Sequence, residues 1–404
     1  MSASARISRH FSLRSVMTAI IHHGPISRAA IAKRTGLSKQ TISAIVRVQE
    51  ADGFVKVTGR TGGHIGRTAV TYEIVPSAAY IIAIDLGGTK VRVAIADLSC
   101  RILAEESAPT DARGGEDLIE QITALSQAVA RKCRIPKKHI RLTVLGVPGV
   151  PDDDAGQVLM APNVAGLDRI NVKRSLSAGL GVETVIENDV NLAVFGEHWQ
   201  GRGQGIDNLA FFALGTGIGA GLMVEGELLR GTSGAAGEIG YLPFGADPFD
   251  PASRHAGAFE REVATQGIMK RYNALAGLDR TVPEIFDLAA GGDEAAGQVL
   301  DETARLLCRA VLTIQAVIDP ELVVLGGSIG AREELVSRVR DLLPLCSTAP
   351  VRIEASRLGP RAALVGAAAL GLSRLYNGLF GAAAPIGSIP LPPSHDEQRS
   401  EAAE

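Results

Sequence analysis

The stretch Asp85-Leu86-Gly87-Gly88-Thr89-Lys90 constrains this chain more than any other. It lies between two apolar, β-branched runs, Tyr80–Ile84 and Val91–Ile95, and so predicts two strands joined by a tight turn. Glycine has no Cβ, so the backbone of Gly87, Gly88 and Thr89 can approach an anion such as a phosphate closely. Asp85 at the strand end and Lys90 beyond the turn suit a metal–nucleotide complex. A second glycine turn, Leu214-Gly215-Thr216-Gly217-Ile218-Gly219, also joins two apolar strands. A third, Leu325-Gly326-Gly327-Ser328, ends a strand and opens a helix, where an anion or adenosine is expected at the helix N-terminus. Three such turns in one chain predict a nucleotide-grasping body.

Charge divides the chain. Residues 1–76 hold eleven Lys and Arg against three Asp and Glu, a balance of +8, which leaves 30 basic and 41 acidic residues after them, a balance of −11. A basic head on an acidic body predicts a polyanionic partner for the head alone. The head carries helical apolar spacing over Phe11–His23, then a helix Arg28–Thr35 behind Ser27, a turn at Gly36, and a third helix from Ser38 to about Asp52. In helix-turn-helix register the buried positions are Ile31, Ala32, Gly36, Leu37, Ile42 and Ile45. The third helix then presents Lys39, Gln40, Thr41, Ser43 and Arg47, side chains suited to base edges and phosphates. Two strands, Phe54–Thr58 and Ala69–Val75, bracket a glycine-rich loop with Arg60 and Arg67, a wing that reaches a minor groove or a phosphate.

Beyond Pro76 the pattern alternates strand and helix, which predicts an α/β body. Glu187-Asn188-Asp189-Val190-Asn191 falls between a strand and a helix. A carboxylate there, Asp189, can act as a general base toward a hydroxyl that Asn188 orients, or simply cap the helix. Asn163, Glu238 and Glu260 are further acids and amides suited to a polyhydroxyl ligand. The four cysteines (Cys100, Cys133, Cys308 and Cys346) form no CxxC pair, which fits reduced thiols in a cytoplasm. No secretion signal and no membrane-spanning run is read, and the proline-rich, polar end predicts a disordered tail.

Taken together, Asp85–Lys90, Ala161–Asn163, Glu187–Asn191, Leu214–Gly221, Gly231–Gly240 and Val324–Gly330 resemble the ROK family of repressors, open reading frames and sugar kinases. The resemblance runs from the helix-turn-helix to Gly371. It implies a two-lobed, actin-like ATPase fold in which sugar and ATP meet. The predicted layout is a winged helix-turn-helix over 1–76, a first lobe over 77–190, a second over 191–381 and a tail over 382–404. Carried over residue by residue, Asp189 matches the catalytic base and Asp85 the residue near magnesium. Gly87, Gly88, Thr89, Gly215, Thr216 and Gly217 match the phosphate loops, with Gly326 and Gly327 in the third turn. Asn163, Asn188, Asp189, Glu238 and Glu260 match the sugar contacts.

The resemblance also implies a zinc site, and here the chain departs. Tyr241 stands where the family has His, and Pro251, Ser253 and Ala258 stand where it has Cys, so no zinc is expected. The expected function is a sugar-responsive DNA-binding regulator, a repressor of carbohydrate genes. It would act as a homodimer or higher oligomer on operator DNA with a sugar or sugar-phosphate effector, and need no cofactor to bind DNA. The alternative is an ATP-dependent sugar kinase using Mg-ATP, and a third reading is a scaffold that binds DNA regardless of ligand.

Overall fold

A computed structural model describes residues 3–61, 69–152, 155–159, 161, 164–381 and 390–392. The chain divides into two compact units: residues 1–147, 153–186 and 367–404 in the first, and residues 148–152 and 187–366 in the second.

The first unit begins with the helices Ala3–His23, Arg28–Thr35 and Lys39–Ala51. Ser27 caps the second helix and Ser38 the third, each accepting a backbone N–H, as Ser does where a helix leaves its first donors unpaired. Ile31 and Ile42 are fully buried where the helices meet, and Val46 and Gln49 join them. Strands Val55–Thr61 and Ala69–Ile74 form the wing. The short strand Ile26–Ser27, which the sequence pattern does not show, pairs onto it.

The body of this unit is a five-stranded sheet. Its spatial order is Thr184–Asn188, Ile140–Val147, Tyr80–Leu86, Lys90–Asp97, Ile102–Pro109. Tyr80–Leu86 pairs antiparallel with Lys90–Asp97 and parallel with Ile140–Val147. The amphipathic helix Gly115–Lys132 covers one face, burying Leu118, Ile119, Ile122 and Val129 against Ile82, Ile84 and Leu145.

The second unit holds a sheet of the same design. The order is Glu227–Leu228, Ile218–Val224, Leu209–Leu214, Leu322–Gly326, Arg352–Ala355, again with an antiparallel hairpin beside a parallel pair. Alternate residues of Leu209–Leu214 face opposite layers, as a strand's period of two requires. Ala210, Phe212 and Leu214 pack with the long helix Glu294–Ile318, whereas Leu209 and Phe211 pack with the helix Asp189–Gln200. Each sheet carries its glycine turn at the tip of its antiparallel hairpin.

The unit boundaries differ from the predicted 77–190, 191–381 and 382–404. The first unit's body ends at Ile186, and residues 148–152 join the second unit. Residues 367–380 belong with the first unit because the C-terminal helix Ala362–Phe380 packs there. Gly371 lies against Ile81 and Val144, and the Tyr376 hydroxyl donates to the Leu98 carbonyl at 2.5 Å. In the tail predicted as disordered, Pro390–Pro392 are placed. His22 Nε2 donates to the Pro390 carbonyl at 2.8 Å, and Pro392 is buried. Among the described residues one helix, Gly359–Phe380, is long and apolar enough to cross a membrane, and it is a mostly buried core helix.

Candidate functional site

On the third helix of the head, Lys39, Gln40 and Arg47 are exposed. Thr41 and Ser43 are half-buried and already engaged. The Thr41 and Ser38 hydroxyls lie 2.9 Å apart, Ser43 Oγ donates to the Lys39 carbonyl at 2.7 Å, and Arg28 Nη1 donates to Ser43 Oγ at 3.1 Å. The helix therefore offers three long side chains outward and uses two short ones to fix its own first turns. Arg67 lies outside the described residues, and Arg60 is described only as part of the strand Val55–Thr61.

In the first unit, Gly88, Thr89 and Lys90 form an exposed hairpin tip. Gly87 N–H donates to the Lys90 carbonyl at 2.9 Å, and Thr110 Oγ1 donates to the Gly87 carbonyl at 2.7 Å, so the base of the turn is pinned. Asp85 is buried and paired. Arg92, directly opposite on the neighbouring strand, donates through Nη1 to Asp85 Oδ2 at 2.9 Å. Burial pushes the Asp85 carboxyl above the usual range, and the Arg92 charge pulls it part of the way back. Sequence reasoning missed Arg92, although cross-strand neighbours of an internal acid are where a partner is found.

The second unit gathers most of the remaining candidates. Asn188, not Asp189, caps the helix Asp189–Gln200. Its Oδ1 accepts the N–H groups of Val190 and Asn191 at 2.9 and 3.0 Å. Its Nδ2 donates to the Gly149 carbonyl at 2.9 Å. Asp189 occupies the first helical turn, half-buried, where the helix dipole favours a carboxylate. Glu187 before it is buried. Its Oε1 accepts Asn188 N–H at 3.1 Å and Asn191 Nδ2 at 3.0 Å, and its Oε2 accepts Arg230 Nε at 2.8 Å.

Glu238 and Glu260 are set by backbone pairing. The Gly237 carbonyl accepts Ala220 N–H at 2.8 Å, and the Gly240 carbonyl accepts Phe259 N–H at 3.0 Å. Glu260 Oε2 accepts Ile218 N–H at 2.9 Å, which joins it to the second glycine turn. A Cβ on Gly217 would lie 2.5 Å from that oxygen, so only glycine permits the approach. Burial raises the Glu238 carboxyl above its ordinary value. Burial likewise raises Glu260, where the Ile218 N–H pulls back and the neighbouring Glu238 charge pushes further up. Both acids are half-buried, and each can accept hydroxyl donors. Asn163 lies outside the described residues.

The third turn opens a helix, Gly327–Gly330, of only four residues. Its glycines answer to packing. A Cβ on Gly326 would lie 2.1 Å from the Phe211 ring, and one on Gly327 2.3 Å from the Leu214 carbonyl.

Around Tyr241, Pro251, Ser253 and Ala258 the donor set does not fit a structural zinc, which takes thiolate and imidazole ligands. Among the described residues no group of three or more His, Cys, Asp or Glu is placed to hold a metal. Ser253 is instead buried, donating to the Asp247 carbonyl at 2.7 Å and accepting from Arg261 Nη1 at 2.7 Å.

Residues 81–393 match the ROK family, and residues 15–64 match the MarR family. The xylose repressor of Caldicellulosiruptor bescii is 25% identical, over 90% of this chain and 95% of that protein. The glucokinase of Thermotoga maritima is 29% identical over 72% of this chain and 96% of its own length. Among solved structures, a ROK family transcriptional regulator, a homologue of the E. coli MLC protein, superposes with a TM-score of 0.76 at 21% identity. It covers 92% of this chain and 98% of that one, and shows the shared fold. A ROK family glucokinase from Streptomyces griseus, solved with glucose and AMPPNP, superposes at 0.58 with 26% identity over 72% of this chain and 99% of that one.

Proposed function

Because this chain belongs to the ROK family and carries a MarR-type winged helix, we propose that it is a transcriptional repressor whose grip on operator DNA answers to a sugar. The observation that carries this reading is the union of two parts in one chain. One is a capped recognition helix presenting Lys39, Gln40 and Arg47. The other is a site whose half-buried acids Glu238 and Glu260 suit a sugar. The similarity to a xylose repressor spans head and body alike, whereas the similarity to glucokinases covers about three quarters of the chain. D-xylose is accordingly the first probe.

A ligand shifts DNA affinity only by binding one conformation better than another. The C-terminal helix offers the route. Its first turn belongs to the second unit, its body is packed in the first, and its last residue, Phe380, meets Phe54 of the head. The reading includes a homodimer on a two-fold operator. The exposed apolar Val317 and Leu345, on neighbouring helices of the second unit, offer it a surface.

The kinase reading rests on Asp189 in the first turn of its helix and on the two glycine hairpins. It is the weaker one, because the Asp85 carboxylate that it assigns to Mg-ATP is engaged by Arg92. Phosphoryl transfer needs that charge aimed at the metal and phosphates. Gel shifts on the DNA upstream of the gene, with a sugar panel led by D-xylose, test the repressor reading. A coupled ADP assay with the Asp189→Asn control tests the kinase. Failure to retain any fragment above random DNA would overturn the first, and sugar-dependent ADP release lost in Asp189→Asn would establish the second.

A further inference from the structure

Residues 231–259 of the second unit carry Glu238 and lead directly into Glu260, yet they hold little regular structure. They contain one 3-10 turn, Ile239–Tyr241, and one helix of six residues, Pro251–Ala256. A loop of this kind orders only if something offsets its conformational entropy. It also brings Gly240, which follows Glu238 and Ile239, against Glu260: a Cβ on Gly240 would lie 3.4 Å from the Glu260 Cβ.

Two arginines close the segment at its ends. Arg230, just before it, grips Glu187 through Nε and Nη2 at 2.8 and 2.7 Å. Glu187 is buried and also holds Asn188 and Asn191, so this pair ties the start of the loop to the Asp189 segment. Arg261, just after Glu260, donates through Nη1 to Asp250 Oδ2 at 2.9 Å and to Ser253 Oγ at 2.7 Å. Asp250 caps the helix Pro251–Ala256 through the Ala252 N–H, and Ser253 holds the Asp247 carbonyl. The second arginine therefore folds 247–253 back onto Glu260. A guanidinium suits both places, since it is charged at every working pH and presents several donors in a fixed plane.

We propose that Arg230 and Arg261 are positioning residues for the ligand. Their ion pairs clamp both ends of the 231–260 segment and so hold Glu238 and Glu260 toward one polyhydroxyl ligand without a metal crosslink. The ligand half of this proposal rests on the sugar reading above, and the clamp half stands on its own. Each arginine acts through the acids and touches no reacting atom. Arg261 replaces a crosslink by two polar partners, and its loss frees Asp250 and Ser253 together. Arg230 is the more exposed of the two, but its partner Glu187 is buried, so removing it strands a buried carboxylate.

Amide hydrogen exchange on the full-length protein tests the clamp, with D-xylose titration calorimetry alongside. In Arg261→Ala and Arg230→Ala, exchange at Glu238, Ile239 and Tyr241 is expected to rise about tenfold or more, while exchange across the recognition helix Lys39–Ala51 keeps its wild-type rate. Arg261→Lys, which keeps a cation for Asp250 and leaves its cap in place, is expected to restore most of the slow exchange and sugar affinity, a rescue that a mere packing role would not give. Dialysis against EDTA, checked by metal analysis, is expected to change neither exchange nor sugar affinity. Unchanged exchange in Arg261→Ala, or loop exchange accelerated by EDTA, would overturn the clamp. Fast exchange in Arg261→Ala with undiminished D-xylose affinity would overturn the positioning role. If the wild-type protein takes up no sugar at all, the sugar reading and the positioning role fall together, and the exchange result still decides the clamp.

Discussion

Phe54 and Phe380 meet edge to face, ring centroids 5.5 Å apart and planes at 89°. Phe54 follows the recognition helix and opens the wing, and Phe380 ends the C-terminal helix, fully buried. The pair is therefore a contact between the DNA-reading head and the helix that returns from the second unit. Truncating Phe380 to Ala is expected to cost ~3–5 kcal/mol of stability, because a full ring leaves a closed site. Phe54→Ala should cost less, since Phe54 is half-buried. A double-mutant cycle in urea should return a coupling of ~0.5–1.5 kcal/mol, the usual worth of an edge-to-face pair. Phe54→Ala should also keep sugar affinity while losing part of the sugar's effect on operator binding. An unchanged effect would remove this contact from the route.

Gly217→Ala places a Cβ 2.5 Å from Glu260 Oε2 and breaks the 2.9 Å bond to Ile218 N–H. A stability loss of ~1–3 kcal/mol is expected from the lost bond and the forced shift. Sugar affinity should fall with it, as measured by calorimetry, while the isolated effect on DNA affinity without sugar stays small. Gly297→Ala is the control for a generic glycine substitution, at a helical position with ordinary backbone angles where no heavy atom lies within 4 Å of the new Cβ, and it should be neutral to stabilising.

Acid pH should separate stability from ligand affinity. The Glu238 and Glu260 carboxyls are raised in the folded chain, chiefly by burial, so the folded state binds protons more tightly than the unfolded one. Their contribution to stability is greatest below the ordinary glutamate value. It declines as pH rises through the interval up to the raised values, and is flat above. Sugar hydroxyls donate to the ionised form, so affinity should run the other way and weaken as pH falls through the same interval. Calorimetric titrations across that range check the second trend. Replacing both acids by Gln should flatten it.

On the DNA side, the three presented side chains should behave differently. Arg47→Ala should weaken binding about equally for all sequences and lower the salt slope by about 1, as for a lost phosphate contact. Gln40→Ala should cost ~1–3 kcal/mol on the operator and relax the preference at one base pair, as for a lost bidentate contact to adenine. Anisotropy titrations against operator and single-base variants over a range of salt measure both. Ser43→Ala should act on the head's stability instead, because Ser43 is bonded to Arg28 and to the Lys39 carbonyl.

Much of this was legible in the sequence because local physics carries it. Ser27, Gly36 and Ser38 mark the helix ends of the head, and the structure uses each of them as a cap. The hairpins around Asp85–Lys90 and Leu214–Ile218 follow from two apolar runs flanking glycines. What escaped was whatever depends on distant partners. Arg92, Arg230 and Arg261 look like ordinary surface charges until the fold brings Asp85, Glu187 and Asp250 to them. Nothing in the spacing shows that Gly326 also has to clear the Phe211 ring. The Asp189 segment was readable as a strand-to-helix junction, but the division of labour was not. Asn188 takes the cap and Asp189 the first turn. The sequence layout puts the whole of 191–381 in one lobe, and only long-range packing of Gly371 and Tyr376 assigns the body of the C-terminal helix to the first unit.

The central claim is that sugar occupancy in one part of the chain changes how the winged head holds DNA. Operator affinity of the full-length protein, measured by anisotropy with and without saturating D-xylose and other common pentoses and hexoses, tests it directly. The account predicts that at least one sugar weakens operator binding about tenfold or more, a coupling of ~1–3 kcal/mol, and that operator DNA weakens that sugar's binding by the same factor. Operator affinity that is the same with every sugar, in a protein that calorimetry shows to bind one, would contradict it.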